Sequence, residues 1–488
     1  MSKPVTGNEI TAPSGSASAP EIGATAHSEK LSFITKLAYG SGDLGTAITA
    51  ALRGFFLLFF FTDVARLSPA SAALILLIGR VWDAVNDPIV GWLSDRTVTR
   101  WGRRRPWLLF GAVPFGLFFF LLWYVPPISD TGKFVYYVVI SILLDTVYTI
   151  INVPYTALTP ELTHDYDERT SLNSYRFAFS VGGALASAVL HPIIVDAASD
   201  IRTGYLISGL IWAIVSTIPC FIVFYFTRER PESMAPSTEE AIPLLEQVRI
   251  AFSNGPYRFV IALYLSSWLA LQLVSTVLIY YLTYYLGVPE RIPMTLLAIQ
   301  GSSFFFLFIW SMLSRRLDKR MVYIIGASIW LVIQLALYFV RPDQSYLVIP
   351  LGVIAGSGVA VAYLIPWAMM PDVIELDELK TRCRREGIFY GFMVLLQKAG
   401  IALGVFAVGR ALDAAGYIVP TDAVPVPVQP DSALQAIRLF MGPIPAVILL
   451  GSLALAYFYP ITRARHARIL RILDKRKARE QAVALQTV

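Results

Sequence analysis

Apolar runs of roughly 20 to 30 residues recur about twelve times along this chain, each long enough to carry a helix across a hydrocarbon core of about 30 Å. They fall near 33–62, 70–95, 107–126, 133–160, 173–197, 204–227, 257–286, 292–314, 321–340, 346–375, 388–412 and 434–460. Hydrophobic residues supply 56% of the 488 residues and charged residues only 15%. The mean hydropathy is +0.60, so a soluble globular class is excluded. The expected fold class is an all-α membrane protein with twelve transmembrane helices.

Lys and Arg residues set its orientation. Alternate loops carry Arg96, Arg100, Arg103, Arg104 and Arg105, then Arg315, Arg316, Lys319 and Arg320, then Lys380, Arg382, Arg384 and Arg385. The C-terminal segment adds eight more cations between Arg463 and Arg479, whereas the intervening loops hold mostly single ones such as Arg66, Lys133 and Arg202. By the positive-inside rule both termini are expected in the cytoplasm. The net charge of +6 is then a topology signal, and a nucleic-acid partner is not expected.

Five regions follow. Residues 1–32 read as a disordered cytoplasmic tail rich in Ser, Ala, Gly and Pro, and 33–227 as a six-helix bundle. Residues 228–256 form a cytoplasmic linker, in which Ser237-Thr238-Glu239-Glu240 resembles a capping box opening an amphipathic stretch through Phe252. A second six-helix bundle spans 257–460. In the basic tail, 461–488, Ile469, Leu470, Ile472 and Leu473 interleave with cations, a pattern suited to an interfacial helix against anionic membrane lipid. Cys220 and Cys383 lie too far apart in topology to pair, and no metal framework is evident. His27, His164, His191 and His466 form no nucleophile–base arrangement, so neither an enzyme nor a cofactor is expected.

Two carboxylates stand inside the second apolar run, in Gly79-Arg80-Val81-Trp82-Asp83-Ala84-Val85-Asn86-Asp87-Pro88. A spacing of four puts Asp83 and Asp87 on one helix face, a turn apart. Isolated charges at that depth cost from about 3 to more than about 10 kcal/mol each. A cation held between them, a proton or a metal ion, removes the penalty. The structural alternative is a pair neutralised by Arg80 or by a cation of another helix. Asp145, Thr149 and Asn152 recur at intervals of four and three and so share a face of the fourth run. Lys398, beside Gln397 deep in the eleventh run, needs an anionic partner, and Asp83 or Asp87 is the candidate. The two halves also echo each other: Leu93-Ser94-Asp95-Arg96 after the second run is matched by Leu313-Ser314-Arg315-Arg316 after the eighth. Such a duplication suits two bundles rocking about a midplane site.

Residues 39–63, from Tyr-Gly-Ser-Gly-Asp-Leu-Gly to Phe-Thr-Asp-Val, together with 79–107, 148–154 and 397–400, resemble the glycoside–pentoside–hexuronide:cation symporter family of the major facilitator superfamily. The resemblance implies that superfamily's fold, a monomer in the plasma (inner) membrane, and uptake of a sugar, glycoside or uronide by alternating access, driven by Na⁺ or H⁺. It implies a cation site of Asp83, Asn86, Asp87 and Thr149, with Na⁺ held by Asp83, Asp87 and Thr149. It implies coupling through Lys398 and Arg80, and substrate contacts from Tyr148, Asn152, Arg176 and Gln397. The chain also departs from the family: Ala47 and Asn152 stand at positions of sugar-binding aspartates, and Thr156 at that of a tryptophan. In their place are Arg53 and Asp145, either a structural ion pair or a means of receiving an anionic group such as a hexuronate or phosphate. Residues 365–374 and 410–417 resemble the sodium-dependent lysophospholipid symporters, a second substrate class. A non-transporting membrane sensor is a third reading.

Overall fold

The computed structural model describes residues 30–163, 165–229, 244–383 and 385–486. The expected N-terminal tail up to residue 29 and the capping box at 237–240 lie outside the described residues. We number the long helices α1 (Phe33–Phe55), α2 (Pro69–Arg96), α3 (Arg105–Leu122), α4 (Asp130–Ala157), α5 (Tyr166–Asp196) and α6 (Ile201–Phe226). The second half contains α7 (Gly255–Tyr280), α8 (Ile292–Ser314), α9 (Lys319–Phe339), α10 (Val348–Thr381), α11 (Glu386–Ala414) and α12 (Asp431–Tyr457, interrupted at Gly442). A final helix, α13, is Arg463–Gln486.

Their starts are written locally. Ser32, Ser68, Ser129, Asp165, Asp200 and Asn254 each accept a hydrogen bond from the backbone N–H three residues on, opening α1, α2, α4, α5, α6 and α7. Among the described residues, ten helices are long and apolar enough to span a membrane, and the bent α1, continued to Val64, makes an eleventh. α2 has 28 residues but does not join that set. Its run is interrupted by Arg80, Asp83 and Asp87.

Within the first half α1 packs on α5, α2 on α4, and α3 on α6; within the second, α7 packs on α11, α8 on α10, and α9 on α12. The same three pairings thus recur six helices later. The echo extends to detail. α1 ends in a π turn at Phe60–Val64 and α7 in one at Tyr281–Tyr285. Each is followed by a left-handed residue, Arg66 at φ 63° and Gly287 at φ 66°. The halves meet through α2 with α11, α5 with α8, and α1 with α7.

Opposite the basic loops, the ends of α1 and α7 are joined. Thr62 and the Tyr280 hydroxyl are 2.7 Å apart. Asp63, buried at 6% exposure, accepts from the Tyr284 hydroxyl, and the Tyr417 hydroxyl lies 2.8 and 2.9 Å from its two oxygens. Arg66 reaches Asp422 at 2.5 Å. That end of the molecule is closed. At the other end, Glu229 accepts from the backbone N–H groups of Arg103, Arg104 and Arg105 at 2.5, 2.8 and 2.9 Å, an anion at the start of α3.

The basic tail departs from the expected lipid-facing helix. The first turns of α13 lie on the protein: Ile469 and Leu473 are buried in the second-half core, and His466 Nε2 lies 2.5 Å from Glu375 Oε2 and 3.3 Å from Asp372 Oδ1 of α10. One helix face finds enough apolar partner in the bundle that lipid is not needed to bury it.

Candidate functional site

The carboxylates of α2 project toward α4 and α11 at mid-depth. Asp83 is buried at 2% exposure, and the Asp87 side chain is 32% exposed. The Lys398 ammonium sits between them, 2.9 Å from Asp83 Oδ2 and hydrogen-bonded to Asp87 Oδ2. On the other side, Thr149 Oγ1 lies 3.3 Å from Asp83 Oδ1 and 3.0 Å from Asp87 Oδ1. Two carboxylates and a hydroxyl thus converge around one positive charge. Oxygens of this kind suit a hard cation, which fits the position that the ammonium now holds. Asn86 is buried beside them, its Nδ2 without a hydrogen-bond partner.

Arg80 does not perform the neutralising role weighed for it. It forms no hydrogen bond or ion pair among the described residues; Lys398, from the other half, bridges the acids instead. The reason is geometric: Arg80 precedes Asp83 by three residues, but it lines a cavity on the side toward α1 and α7. That cavity, of about 390 Å³, is walled by Arg53, Gly54 and Leu58 of the first helix and its extension, Leu76 and Arg80 of α2, Gln272 and Thr276 of α7, and Ile401, Ala402 and Val405 of α11.

Arg53 and Asp145 form a bidentate ion pair of 2.5 and 3.1 Å, both side chains nearly excluded from solvent. α2 approaches α4 closely here: a Cβ on Gly79 would lie 2.8 Å from Asp145 Oδ2. Any larger residue would push the acid out of line with Arg53.

The remaining expected substrate residues divide. Tyr148 and Asn152 lie on α4, one turn or less from Thr149, and neither side chain makes a hydrogen bond among the described residues. Arg176 lies away from the cavity wall, 3.6 Å from Asp43, with its guanidinium over the Tyr155 ring. Gln397 turns into the second half, where its Oε1 accepts from Tyr264 at 2.6 Å; it does not join Lys398 at the acids. Successive residues point about 100° apart on a helix, and Tyr264 supplies a donor on that side. Sequence reasoning passed over Gln272 and Thr276, which are joined to each other at 2.9 Å. Their spacing of four within an apolar run was the available signal.

A second cavity, of about 510 Å³, lies within the second half on an adjacent face of α7. Leu271, Val274 and Leu278 of α7, Ile299 of α8, Trp330 and Leu337 of α9, Val348 and Val359 of α10 and Met441 of α12 make it overwhelmingly apolar, and Phe55 of α1 closes it. The charged and the apolar cavity therefore flank neighbouring residues of the same two helices: Gly54 and Phe55 on α1, Leu271 and Gln272 on α7.

Two duplicated helical halves around a charged midplane site define a secondary transporter. Residues 38–463 match the family model described as MFS/sugar transport protein, and the chain belongs to that family. It is 43% identical to an uncharacterized symporter, sll1374, of Synechocystis sp., over 92% of this chain and 98% of that protein. It is 30% identical to the sodium-dependent lysophosphatidylcholine symporter 1-A of Danio rerio, over 88% of this chain and 86% of that one. Among solved structures, a bacterial homolog of the human lysosomal transporter Spinster superposes with a TM-score of 0.65 at 11% identity, covering 87% of this chain and 95% of that one, a likeness of fold. The protein is a cation-coupled symporter of the plasma membrane, and its relatives are transporters.

Proposed function

We propose that this symporter carries an organic solute bearing an anionic group, with a single-chain phospholipid as the best-fitting cargo. The observation behind this reading is the pairing of cavities across α7: one is lined by Arg80 beside the Arg53–Asp145 pair, the other by mostly apolar side chains. A phosphate suits the first, because guanidinium binds it bidentately, and an acyl chain suits the second. The coupling ion, Na⁺ or H⁺, replaces the Lys398 ammonium between Asp83 and Asp87, with Thr149 as a third oxygen. Lys398, displaced, is then free to meet the anionic group, so that cation and cargo loosen the same contact.

A sugar acid is the second reading. Tyr148 and Asn152 favour it, as polar side chains near the proposed cation site whose hydrogen-bonding capacity no group among the described residues uses. Uptake into proteoliposomes of a labelled lysophospholipid and of a glucuronide, with Na⁺ and pH gradients imposed separately, tests both. Gradient-driven accumulation of the lysophospholipid is expected; accumulation of the glucuronide alone moves the assignment to the sugar acid, and of neither, with an uncharged glycoside carried instead, rejects the anionic reading.

A further inference from the structure

Six charged side chains meet at mid-depth: Asp83, Asp87 and Asp145 against Lys398, Arg53 and Arg80. Lys398 lies between two of the acids and Arg53 holds the third, so each is taken in the ionised form that its ion pair requires. Acids and bases then cancel. The sum is zero only because Arg80, with no ion pair of its own among the described residues, supplies the third positive charge. The nearby Asp43 and Arg176, 3.6 Å apart, cancel in the same way. Asp63 lies at the closed end among tyrosine hydroxyls, outside this cavity, and is common to loaded and unloaded states.

A cation entering between Asp83 and Asp87 raises the sum by one, whether it is Na⁺ or a proton. Lys398 is pushed aside but remains in the low-dielectric interior, where an uncompensated charge is strongly disfavoured. None of the six groups can answer the added charge. An anion in the cavity beside Arg80 can.

We infer that the cargo carries one net negative charge and travels with one cation, so that loaded and unloaded sites are both neutral and the cycle moves no net charge. This rests on the anionic reading above and narrows it. An acidic single-chain phospholipid or a monouronide satisfies the condition; a zwitterionic choline headgroup or an uncharged sugar leaves one positive charge unanswered. Since the guanidinium fork of Arg53 is engaged by Asp145, Arg80 is the residue that sets the charge preference.

The test uses the full chain in proteoliposomes and two matched pairs of probes. Lysophosphatidylglycerol is compared with lysophosphatidylcholine of the same acyl chain, and a glucuronide with the corresponding glucoside, under membrane potentials clamped with K⁺ and valinomycin. The acidic member of a pair is expected to be preferred by roughly tenfold or more. Its initial rate should stay within about twofold between zero and inside-negative potential. Arg80→Gln leaves three acids against two bases, so the cation alone restores neutrality and the preference should invert toward the zwitterionic or uncharged member. Arg80→Lys should keep the wild-type order.

Acidic-cargo uptake that accelerates severalfold at inside-negative potential overturns the inference, and this measurement needs no variant. Equal uptake of both members by the wild type overturns it too, as does an Arg80→Gln protein that still prefers the acid. Glucuronide uptake independent of potential, with neither lysophospholipid carried, supports the charge inference and rejects the acyl-chain assignment. Uptake of the glucoside or choline lipid alone rejects both.

Discussion

At the scale of single residues, the site is decided by which cation sits between the two acids of α2. Removing one partner of a buried ion pair costs about 3–5 kcal/mol, because the charge left behind has lost both water and partner. Lys398→Ala leaves two such charges a turn apart, so the protein should be destabilised chiefly in the absence of its coupling ion. Thermal unfolding in detergent checks this: the variant's midpoint should fall in choline buffer at neutral pH. It should recover with added Na⁺ if Na⁺ is the ion, or on acidification if a proton is. A midpoint unaffected by either cation is inconsistent with a cation site there. Asp87→Asn combined with Lys398→Ala should recover part of the loss, since one of the two orphaned charges is gone. These residues were legible in the sequence because an ionisable group inside an apolar run is itself anomalous. The Arg53–Asp145 pair was legible only as one of two alternatives, since 92 residues separate its members and only the approach of α1 to α4 brings them together. The direction of Arg80 was not legible at all: spacing places a side chain on a helix face, but the cavity it enters is made by α7 and α11.

At the scale of elements, the hydropathy pattern located the helices but not their ends or bends. α5 begins at Tyr166 where apolarity begins near 173, and α10 runs to Thr381 where apolarity ends near 375. Hydropathy reports the slab of lipid, whereas a capped helix continues into water: Asp165 caps α5, and Arg382 ends α10 in a left-handed turn at φ 63°. The π turns closing α1 and α7 carry no periodic signal, yet they aim Asp63 at Tyr284 and Tyr417. Hydrogen bonds to a charged acceptor are worth about 1.5–3 kcal/mol each, and bonds made only in the closed state shift the population by roughly tenfold per bond. Tyr284→Phe with Tyr417→Phe should therefore open this end more often. In a Cys383→Ser background, Leu76→Cys on the cavity wall should react severalfold faster with a membrane-impermeant maleimide added on this side. An unchanged rate means that the tyrosines do not hold the gate. The Arg66–Asp422 clasp is the solvent-facing part of the same closure. Its Asp422 carboxyl is held below the ordinary value by the hydrogen bond from Arg66, so its contribution is full above the ordinary carboxylate range of about 4 and is lost only as pH falls below that.

At the scale of the whole molecule, the polar contacts sort into two kinds. Those within a half, such as Glu229 on the start of α3 or His466 on α10, make that half a rigid body. The contacts of Asp63, Arg66 and Lys398 instead cross between halves, at the closed end and at the acids of α2. A symporter of this architecture works by rocking one half against the other, so the crossing contacts at the closed end must break in every cycle and the internal ones need never do so. Covalent links distinguish the two kinds. In a Cys383→Ser chain, Arg66→Cys with Asp422→Cys, joined by a short bifunctional maleimide, should abolish uptake while leaving the unfolding midpoint equal or higher. The pair His466→Cys with Glu375→Cys, joined by the same reagent, lies inside the second half and should leave uptake within about twofold of the unlinked protein, because α13 and α10 move together. Normal uptake by the first linked protein would mean that the closed end does not open during transport. Arrest by the second would mean that α13 leaves α10 in each cycle and that the second half is not one body. The comparison needs no knowledge of the cargo beyond one transported probe.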